Sequence, residues 1–396
     1  MFFILTYITQ SFVNGIIPLY MPILLRDIGY RTALIGVFLA IAEGAGILGP
    51  FLFGRFADRS GNYKVSLITA YSITAAVTLP IAHITNPVIT ALLIVFISVG
   101  FRSVTPLIDA MTTINLGEKG NYGRIRMFGS LSYVCFVFLM QWVPVMRPNT
   151  AGNISFWMCL TCVLAITGTI IIPSKYANRR LNMENSKSGR EPITSETETK
   201  QKKSIWTPVF IIGLISIILS RLASTPAYSF FPLFLVEYMQ WDAVGLMFGI
   251  GALSEIPVMY FSHRLIRRFG AMPLIAFSSA MVALRLGIYA IFPFKAGIVF
   301  AQLLNSICFG VFHPAAIVFI SSCVPPEKRS FGMTLYISVG WGIPNLIGNL
   351  LCGFVVEYAG YRQLFGSFTI FAILGAAVYY VYRFKEAHAH GRTEKT

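Results

Sequence analysis

Residues 54–61 read Gly-Arg-Phe-Ala-Asp-Arg-Ser-Gly, and residues 263–270 read His-Arg-Leu-Ile-Arg-Arg-Phe-Gly; each stretch follows an apolar segment. The same number of positions separates three matched pairs, which are Arg55 and Arg264, Arg59 and Arg268, and Gly61 and Gly270. That offset also carries Gly36 onto Gly245 and Tyr122-Gly123 onto Phe331-Gly332. An offset held at separated places predicts two halves built on one plan, which in an apolar chain is typical of membrane transporters.

The composition is that of a membrane protein. The chain has 396 residues, of which 56% are hydrophobic and 12% are charged, whereas soluble domains carry about 25% charged residues. A bilayer core of about 30 Å is crossed by about 20 apolar residues in a helix. The chain therefore has room for twelve membrane helices joined by short loops. The first residues are apolar and lack the basic segment of a signal peptide, so they are predicted to begin the first membrane helix.

Twelve helices are predicted, six in each half. In the first half they cover residues 2–26, 32–55, 63–83, 87–114, 122–145 and 153–173. In the second half they cover 206–236, 241–262, 271–292, 296–324, 329–354 and 361–383. The fold class is thus an all-α membrane protein with two pseudo-symmetric six-helix bundles, residues 1–173 and 206–384. The polar residues 174–205 are predicted to be a flexible cytoplasmic linker, and residues 385–396 a polar cytoplasmic tail.

Basic residues cluster in alternate loops. One set of loops carries Arg55, Arg59, Lys64, Lys119, Arg124, Arg126, Arg264, Arg267, Arg268, Lys328, Arg329, Arg383 and Lys385, and the other set carries Arg26, Arg31, Arg147, Lys295 and Arg362. This bias follows the positive-inside rule and predicts a multi-pass protein of the inner (cytoplasmic) cell membrane with both termini in the cytoplasm. It also accounts for the net charge of +15 without a nucleic-acid partner.

Six charged residues lie inside the predicted helices rather than in loops. They are Glu43, Arg102, Asp109, Arg221, Glu255 and Arg285. Each costs about 2.5–3.5 kcal/mol at the centre of a membrane helix, so we expect these residues to pair or to face a watery cavity. Two explanations stay open for any one of them, which are a structural ion pair and a role in handling substrate or protons. Polar residues within the helices extend the set, namely Asn14, Asn305, His313 and Asn345.

Residues 54–64 resemble the loop between the second and third helices of the major facilitator superfamily, usually written G-x-L-A-D-R-x-G-R-K. The resemblance extends over nearly the whole chain, although Phe56 replaces the leucine and Asn62-Tyr63 interrupts the basic pair. In that family the acidic residue of the loop holds the cytoplasmic ends of the two halves together through charge pairs and a helix terminus. The resemblance therefore implies a gating role for Asp58, with Arg55 and Arg59 as its partners.

A closer resemblance is to the oligosaccharide–proton symporter and phenylpropionate permease branch. Three stretches carry it, which are residues 106–110, 122–130 and 312–316. The resemblance implies that Asp109 and Arg126 form an acid–arginine pair that grips the substrate. It assigns the coupling of substrate to protons to Glu255, Arg285 and His313.

Two departures from the sugar-transporting relatives bear on these roles. Those relatives carry a carboxylate one turn after the histidine, where this chain has Ala316, and a tryptophan for the sugar ring, where this chain has Tyr133. An aromatic face for the substrate is therefore kept at Tyr133. Glu255 becomes the expected proton carrier, with Asp109 and Glu43 as its rivals.

We expect a secondary active transporter that imports a small organic solute, such as a sugar, nucleoside or aromatic carboxylate, together with protons. The predicted substrate site comprises Asp109, Arg126, Tyr133, Arg102, Asn14, Asn305 and Asn345. No G-x-x-x-x-G-K-[ST] loop is present for a nucleotide, and no cofactor or metal is expected in what is predicted to be a monomer in the bilayer. Two alternatives stay open: a proton antiporter that exports drugs or metabolites, and a non-transporting membrane receptor. An enzyme is not expected, because H-E-x-x-H and G-x-S-x-G motifs are missing.

Overall fold

The computed structural model describes residues 2–116, 122–173, 176, 205–325 and 328–393 of the chain. These residues form helices, and twelve of the helices are long and apolar enough to cross a membrane. The first six are α1 (Phe2–Asp27), α2 (Thr32–Ser60), α3 (Tyr63–Ile81), α4 (Pro87–Leu116), α5 (Tyr122–Trp142) and α6 (Ala151–Ile170). Large apolar side chains such as Leu92 and Phe96 on α4 are exposed, as expected of a surface that faces lipid.

The second six helices include three that change geometry along their length. They are α7 (Pro208–Tyr238), α8 (Val244–Phe269), α9 (Ala271–Ile291), α10 (Lys295–Cys323), α11 (Phe331–Ala359) and α12 (Tyr361–Thr393). A π-helical segment ends α7 at Phe234–Tyr238, and another lies within α11 at Tyr336–Gly342. The regular helix of α10 stops at Cys308 and resumes at Phe312. Such segments redirect side chains within a helix and are frequent at functional sites.

The chain divides into two compact units. The first comprises Met1–Tyr30 with Ile41–Lys202, and the second comprises Arg31–Ala40 with Lys203–Thr396. The predicted domain boundaries, at residues 173 and 206, stay a prediction.

The first turns of α2 belong to the second unit because they pack closely on α11. A Cβ atom on Gly36 would lie 2.5 Å from the carbonyl oxygen of Asn349 and 2.7 Å from the Cα of Gly353. The hydroxyl of Thr32 donates a 2.5 Å hydrogen bond to the Glu357 carboxylate on the same helix. Facing glycines let the two backbones approach closely, as small residues do between membrane helices.

The second helix is longer than predicted. The sequence predicted that α2 ends at residue 55 and that residues 54–64 match a loop, but the helix continues to Ser60. Gly61 then adopts a φ of 67°, and the side chain of Asn62 caps α3. The left-handed conformation strongly favours glycine. The chain therefore turns at Gly61, because a glycine adopts this conformation without strain. The predicted gating residues Arg55, Asp58 and Arg59 therefore lie on the last turns of α2.

The last helix is also longer than predicted. It was expected to end at residue 383 before a polar tail, but α12 continues to Thr393. The added residues include Lys, Glu and Ala, which are good helix formers, so the helix persists beyond its apolar part. Residues 394–396 lie outside the described residues. The same holds for residues 174, 175 and 177–204 of the predicted linker.

Lys64 connects the start of α3 to the end of α6. Its Nζ donates hydrogen bonds to the carbonyl oxygens of Ile170 at 2.6 Å and Ile172 at 2.8 Å. The last carbonyls of a helix have no partner within that helix and carry partial negative charge. The ammonium group of Lys64, the last basic residue of the 54–64 stretch, therefore caps the end of α6.

Candidate functional site

The first unit places Asp109 between a tyrosine and an arginine. One carboxylate oxygen of Asp109, on α4, accepts a 2.5 Å hydrogen bond from the Tyr7 hydroxyl on α1. The other oxygen lies 3.7 Å from a guanidinium nitrogen of Arg126 on α5. The side chains of Arg126 and Asp109 are 55% and 27% exposed, so solvent reaches this ion pair and screens it. The predicted partners are thus brought together, and their role in binding substrate stays a prediction.

A second ion pair joins α2 to α4. The guanidinium of Arg102 donates a hydrogen bond to the carboxylate of Glu43. Gly46 on α2 leaves the space for it, because a Cβ atom there would lie 2.8 Å from the Cγ of Arg102. Pairing lowers the cost of holding both charges within the membrane. Each of the two residues thus has an opposite charge as its partner, and their predicted parts in substrate binding and proton coupling stay predictions.

Neutral polar side chains surround Gln10 on α1. The hydroxyl of Tyr71 donates to the Gln10 amide oxygen at 2.5 Å. The amide nitrogen of Gln10 lies 3.2 Å from the Thr105 hydroxyl and 3.4 Å from the amide oxygen of Asn14. Gln10 and Tyr71 are buried, so these bonds satisfy polar groups that would otherwise be costly in an apolar interior. The predicted substrate residue Asn14 is thereby linked to α3 and α4.

In the second unit, Arg285 on α9 is held by three side chains. It donates to the Tyr289 hydroxyl at 3.0 Å, to the Asn305 amide oxygen at 2.5 Å and to the Gln302 amide oxygen at 2.8 Å. The arginine is 3% exposed, and a buried guanidinium needs such acceptors. The regular helix of α10 is also interrupted at Leu304, between Gln302 and Asn305, so both amides come from an irregular part of that helix.

Asn305 also connects this arginine to Glu255. Its amide nitrogen donates to the Glu255 carboxylate on α8, while its amide oxygen accepts from Arg285 and, at 3.0 Å, from the Tyr228 hydroxyl on α7. The predicted coupling residues Glu255 and Arg285 are therefore brought together through one shared amide. We refer to Glu255, Asn305 and Arg285 as the carboxyl–amide–arginine chain.

His313 contacts a tyrosine and two further aromatic rings. Its Nδ1 lies 2.8 Å from the Tyr336 hydroxyl on α11. Its ring stacks on Phe309, with centroids 5.4 Å apart and planes 5° from parallel. The Trp341 ring stands almost perpendicular to it at 5.6 Å. The resemblance grouped His313 with Glu255 and Arg285; its hydrogen bond to Tyr336 and its contact with Trp341 join it to α11, and its role in coupling stays a prediction.

Arg221 on α7 lies against the Trp341 ring and two further aromatic rings. Its guanidinium carbon is 3.5 Å from the centroid of the Trp341 ring, 5.6 Å from that of Tyr228 and 6.0 Å from that of Phe312. The arginine is 3% exposed. Cation–π contacts are strongest on tryptophan and when the cation is desolvated, so the rings stabilise this buried charge.

The remaining predicted residues lie at the margins of these clusters. The amide oxygen of Asn345 is 3.5 Å from the Thr225 hydroxyl, and Tyr133 is half-buried on α5. Asp58 is exposed and accepts a 3.3 Å hydrogen bond from the Tyr63 hydroxyl. Arg55 and Arg59 are exposed as well. Ion pairs between Asp58 and these arginines stay a prediction, as does the gating role of all three.

Several side chains in these clusters were not predicted from the sequence, although some carried a signal. They are Tyr7, Tyr71, Thr105, Tyr228, Tyr289, Gln302 and Trp341. Tyr289 lies one turn after Arg285 and Gln302 one turn before Asn305, and that spacing places side chains on one helix face. Tyr7 and Trp341 carried no such signal, because their partners come from other helices. Within the part of the chain that the structure describes, no three His, Cys, Asp or Glu side chains are grouped to hold a metal ion.

The described residues form twelve helices long and apolar enough to span a membrane, and these helices carry paired charges and hydrogen-bonded amides, which defines a multi-pass membrane protein of the transporter class. Comparison with known sequences shows the family to which the chain belongs. It matches the MFS_1 like family, a part of the major facilitator superfamily, over residues 2–367. The chain belongs to that family. It is a membrane transporter and not an enzyme.

Relatives with assigned names share about a quarter of their residues with this chain. The chain is 26% identical over 367 residues to the "Uncharacterized transporter YwbF" of Bacillus subtilis, covering 92% of this chain and 87% of the relative. It is 23% identical to the "Maltose permease" of Geobacillus stearothermophilus, covering 92% and 89%. It is also 23% identical to the "Probable 3-phenylpropionic acid transporter" of Escherichia coli, covering 93% of each.

Solved structures share the fold. The chain is similar to a crystal structure of a mutant of the nucleoside transporter NupG, with a TM-score of 0.77, 17% identity, and coverage of 96% of this chain and 98% of the other. This likeness and the twelve helices confirm the predicted fold class, an all-α membrane protein of the twelve-helix transporter type.

Proposed function

We propose that this chain imports a small organic solute together with protons by alternating access. The observation that carries the proposal is the carboxyl–amide–arginine chain, in which Glu255 and Arg285 share the amide of Asn305. Ionisable residues inside membrane helices commonly form substrate pathways and proton relays. A carboxyl group that exchanges a proton beside a fixed cation can link the proton gradient to the state of the binding site.

Asn305 supplies the link between proton and substrate. An ionised Glu255 accepts from the amide nitrogen of Asn305, whereas a protonated Glu255 carries a donor of its own on one oxygen. Protonation therefore weakens the hold on Asn305 and leaves the charge of Arg285 without a nearby negative partner along this chain. A substrate that contacts Asn305 or Arg285 then binds the two protonation states with different affinity, which is the condition for coupling.

We propose that the solute is a sugar, a nucleoside or an aromatic carboxylate. The similar proteins are named as a maltose permease, a 3-phenylpropionic acid transporter and a nucleoside transporter. Asp109 and Arg126 offer an acceptor and a set of donors that suit hydroxyl or carboxyl groups, and both side chains are reached by solvent. Tyr133 supplies an aromatic face for a ring.

We also propose that the protein is a monomer of the inner cell membrane with both termini in the cytoplasm. The bias of basic residues toward alternate loops supports this orientation. In a variant without native cysteines, a membrane-impermeant maleimide should label a cysteine introduced at Asn86 in intact cells. It should label a cysteine at Asn62 only after the cells are opened. The reverse pattern would overturn the orientation.

Uptake into proteoliposomes tests the transport proposal. Radiolabelled maltose, uridine and 3-phenylpropanoate are offered separately to vesicles with an imposed pH gradient, acidic outside. We expect one of the three solutes to accumulate above its external concentration, and a protonophore to abolish that accumulation. Equal accumulation with and without the gradient would contradict proton coupling. Binding of a solute without any uptake would instead support the receptor alternative.

A further inference from the structure

The second copy of the repeated stretch differs from the first in charge. Residues 54–61 contain one acidic residue, Asp58, whereas residues 263–270 have Arg267 at the matched position. The basic residues of the second copy are His263, Arg264, Arg267 and Arg268. Residues 256–326 contain no aspartate or glutamate. The second copy is therefore a run of cations in a long part of the chain without acidic residues, and the proposed transport cycle gives it no role.

These basic residues lie at the exposed end of α8. The helix ends at Phe269, and Arg267 and Arg268 belong to its last turn. The side chains of all four basic residues are exposed. Cations in the last turn of a helix are stabilised by the partial negative charge of its terminus, an effect that fades beyond that turn. His263 and Arg264 lie before the last turn, so the helix terminus accounts for only part of the cluster.

Two of the arginines stack on exposed aromatic rings. The guanidinium carbon of Arg264 is 5.5 Å from the centroid of the Phe261 ring, and that of Arg268 is 5.3 Å from the centroid of the Phe269 ring. Both rings are exposed, as is Tyr260, at 79%. A cation–π contact holds a guanidinium by its face, and the N–H donors point outward in the plane of the group. The rings therefore hold the arginines in a geometry that suits an anion in the surroundings.

One face of α8 changes from apolar to aromatic to basic along its length. Leu253, Pro257, Tyr260, Arg264 and Arg267 follow one another at spacings of three or four residues, which places them on one helix face. All five side chains are exposed. The face from Leu253 to Arg267 is about 21 Å long. Apolar, aromatic and cationic side chains in this order match the layers of a membrane from its hydrocarbon core to its charged surface.

This order of side chains selects a phospholipid among anionic ligands. Arginines form charge-assisted hydrogen bonds with phosphate oxygens, and clusters of basic residues at the end of a membrane helix attract anionic lipids. A soluble phosphate would contact the arginines alone. A phospholipid joins its phosphate to acyl chains, so it can contact the arginines, the aromatic rings and the apolar residues of the same face.

We infer that this end of α8 binds an anionic phospholipid, with the headgroup on Arg264, Arg267 and Arg268 and the acyl chains along Tyr260 and Leu253. The first copy of the repeat carries Asp58 in place of the central arginine, so the same site is not repeated there. The surface is a function in addition to transport, and it does not depend on the solute or on proton coupling.

The association of spin-labelled lipids with the reconstituted full chain tests this surface. The protein is placed in phosphatidylcholine vesicles with a trace of spin-labelled phosphatidylglycerol or phosphatidylcholine. The fraction of label that the protein immobilises gives the relative association constant. We expect phosphatidylglycerol to be preferred at least about fivefold, and the preference to fall in ~1 M salt, where charges are screened beyond about 3 Å. Equal association of the two lipids would overturn the inference.

Variants then assign the preference to the arginines. Replacement of Arg264, Arg267 and Arg268 together by glutamine should remove most of it, whereas replacement of all three by lysine should keep most of it, because the charge remains. Arg267→Asp, which introduces the residue type of the first copy, should lower the preference more than Arg267→Gln. The control is Lys295→Gln, which removes an exposed cation 5.4 Å from the Trp241 ring, and it should leave the preference unchanged.

Folding and a soluble anion are separated from lipid binding by two further measurements. Size-exclusion profiles and thermal unfolding show whether each variant is folded, and the two Arg267 variants serve if the triple glutamine variant is not. An unchanged preference in the folded variants would overturn the inference. Inorganic phosphate added at constant ionic strength should leave lipid association unchanged. Displacement of the lipid by phosphate would instead assign the arginines to a soluble anion and overturn the inference.

Discussion

At the scale of single residues, the two candidate proton carriers have different surroundings. Asp109 accepts from a tyrosine hydroxyl and lies 3.7 Å from an arginine that is 55% exposed. Glu255 accepts from the amide of Asn305, which in turn accepts from the buried Arg285. Asp109 is thus open to water and to a polar solute, whereas Glu255 reaches its cation only through another side chain. These surroundings favour Asp109 for binding substrate and Glu255 for carrying the proton.

Removal of either partner of the Asp109–Arg126 pair should stop uptake while the protein still folds. Asp109→Asn and Arg126→Ala each remove one charge of a solvent-reached pair, whose contribution to stability is at most about 1 kcal/mol. We expect uptake to fall at least about tenfold in proteoliposomes, with thermal unfolding nearly unchanged. The matched control is Arg124→Ala, an exposed arginine two positions earlier on α5. Near-normal uptake in both variants would remove this pair from the substrate site.

Glu255→Gln should separate exchange from accumulation. The amide can still accept from Asn305 through its oxygen, so the hydrogen-bonded chain and the binding of substrate are largely kept. It cannot release a proton, so we expect counterflow to persist and accumulation under a pH gradient to be lost. Both are measured in the same vesicles. If Glu255→Gln still concentrates the solute, the proton carrier is Asp109 or Glu43.

At the scale of helices, the terminal carbonyls of α6 have a side-chain donor, and the helix α10 is interrupted beside a polar cluster. Lys64 caps α6 with two hydrogen bonds, at 2.6 and 2.8 Å. The break in α10 directly follows the segment that presents Asn305 to Arg285, Glu255 and Tyr228. A regular helix would give its backbone groups internal partners, so a break is tolerated in a membrane where protein rather than lipid surrounds it. The break in α10 therefore coincides with the polar cluster around Asn305.

Lys64→Met should destabilise the end of α6. The methionine keeps most of the length of the side chain and removes the donors, which leaves two helix-terminal carbonyls without their cap. Because the lysine is partly exposed, we expect a loss of about 1 kcal/mol in the free energy of unfolding. Thermal unfolding in detergent measures it, and Lys64→Arg should restore most of the stability. An unfolding temperature equal to that of wild type would show that water replaces the cap.

At the scale of the whole molecule, the two units handle charge differently. The first holds ion pairs, Glu43 with Arg102 and Asp109 with Arg126. The second buries two arginines among amides, hydroxyls and aromatic rings. One unit therefore offers paired charges to a solute, and the other offers buried cations. The two halves repeat one sequence pattern but differ in their intramembrane polar residues.

Asp58→Asn should slow turnover more than it weakens binding. Asp58 lies fifteen residues after Glu43 on α2, which is about 22 Å along a helix, so it is far from the intramembrane charge of its own helix. Its predicted role is in the equilibrium between open states. We expect a reduced transport rate with a dissociation constant close to that of wild type, and Ser60→Ala as a control with a normal rate. A large loss of affinity at normal turnover would contradict the gating role.

The sequence by itself determined the class and the number of helices. Apolar runs of about 20 residues are a local property set by the thickness of the bilayer, so each could be recognised without its neighbours. Charged residues within those runs could also be recognised locally, because a charge within the membrane is costly. They are Glu43, Arg102, Asp109, Arg221, Glu255 and Arg285. The end of α2 was predicted less well, because a helix that leaves the membrane continues until a residue such as Gly61 allows a turn.

Only the tertiary structure decided which of these residues are partners. A position on a helix face does not say which other helix that face meets, since several packings satisfy the same pattern. The structure joins Glu255 to Arg285 through Asn305, sets Arg221 on Trp341, and places His313 with Tyr336. The π-helical turn that presents Trp341 is maintained by packing rather than by local propensity, and no local sequence signal announces it.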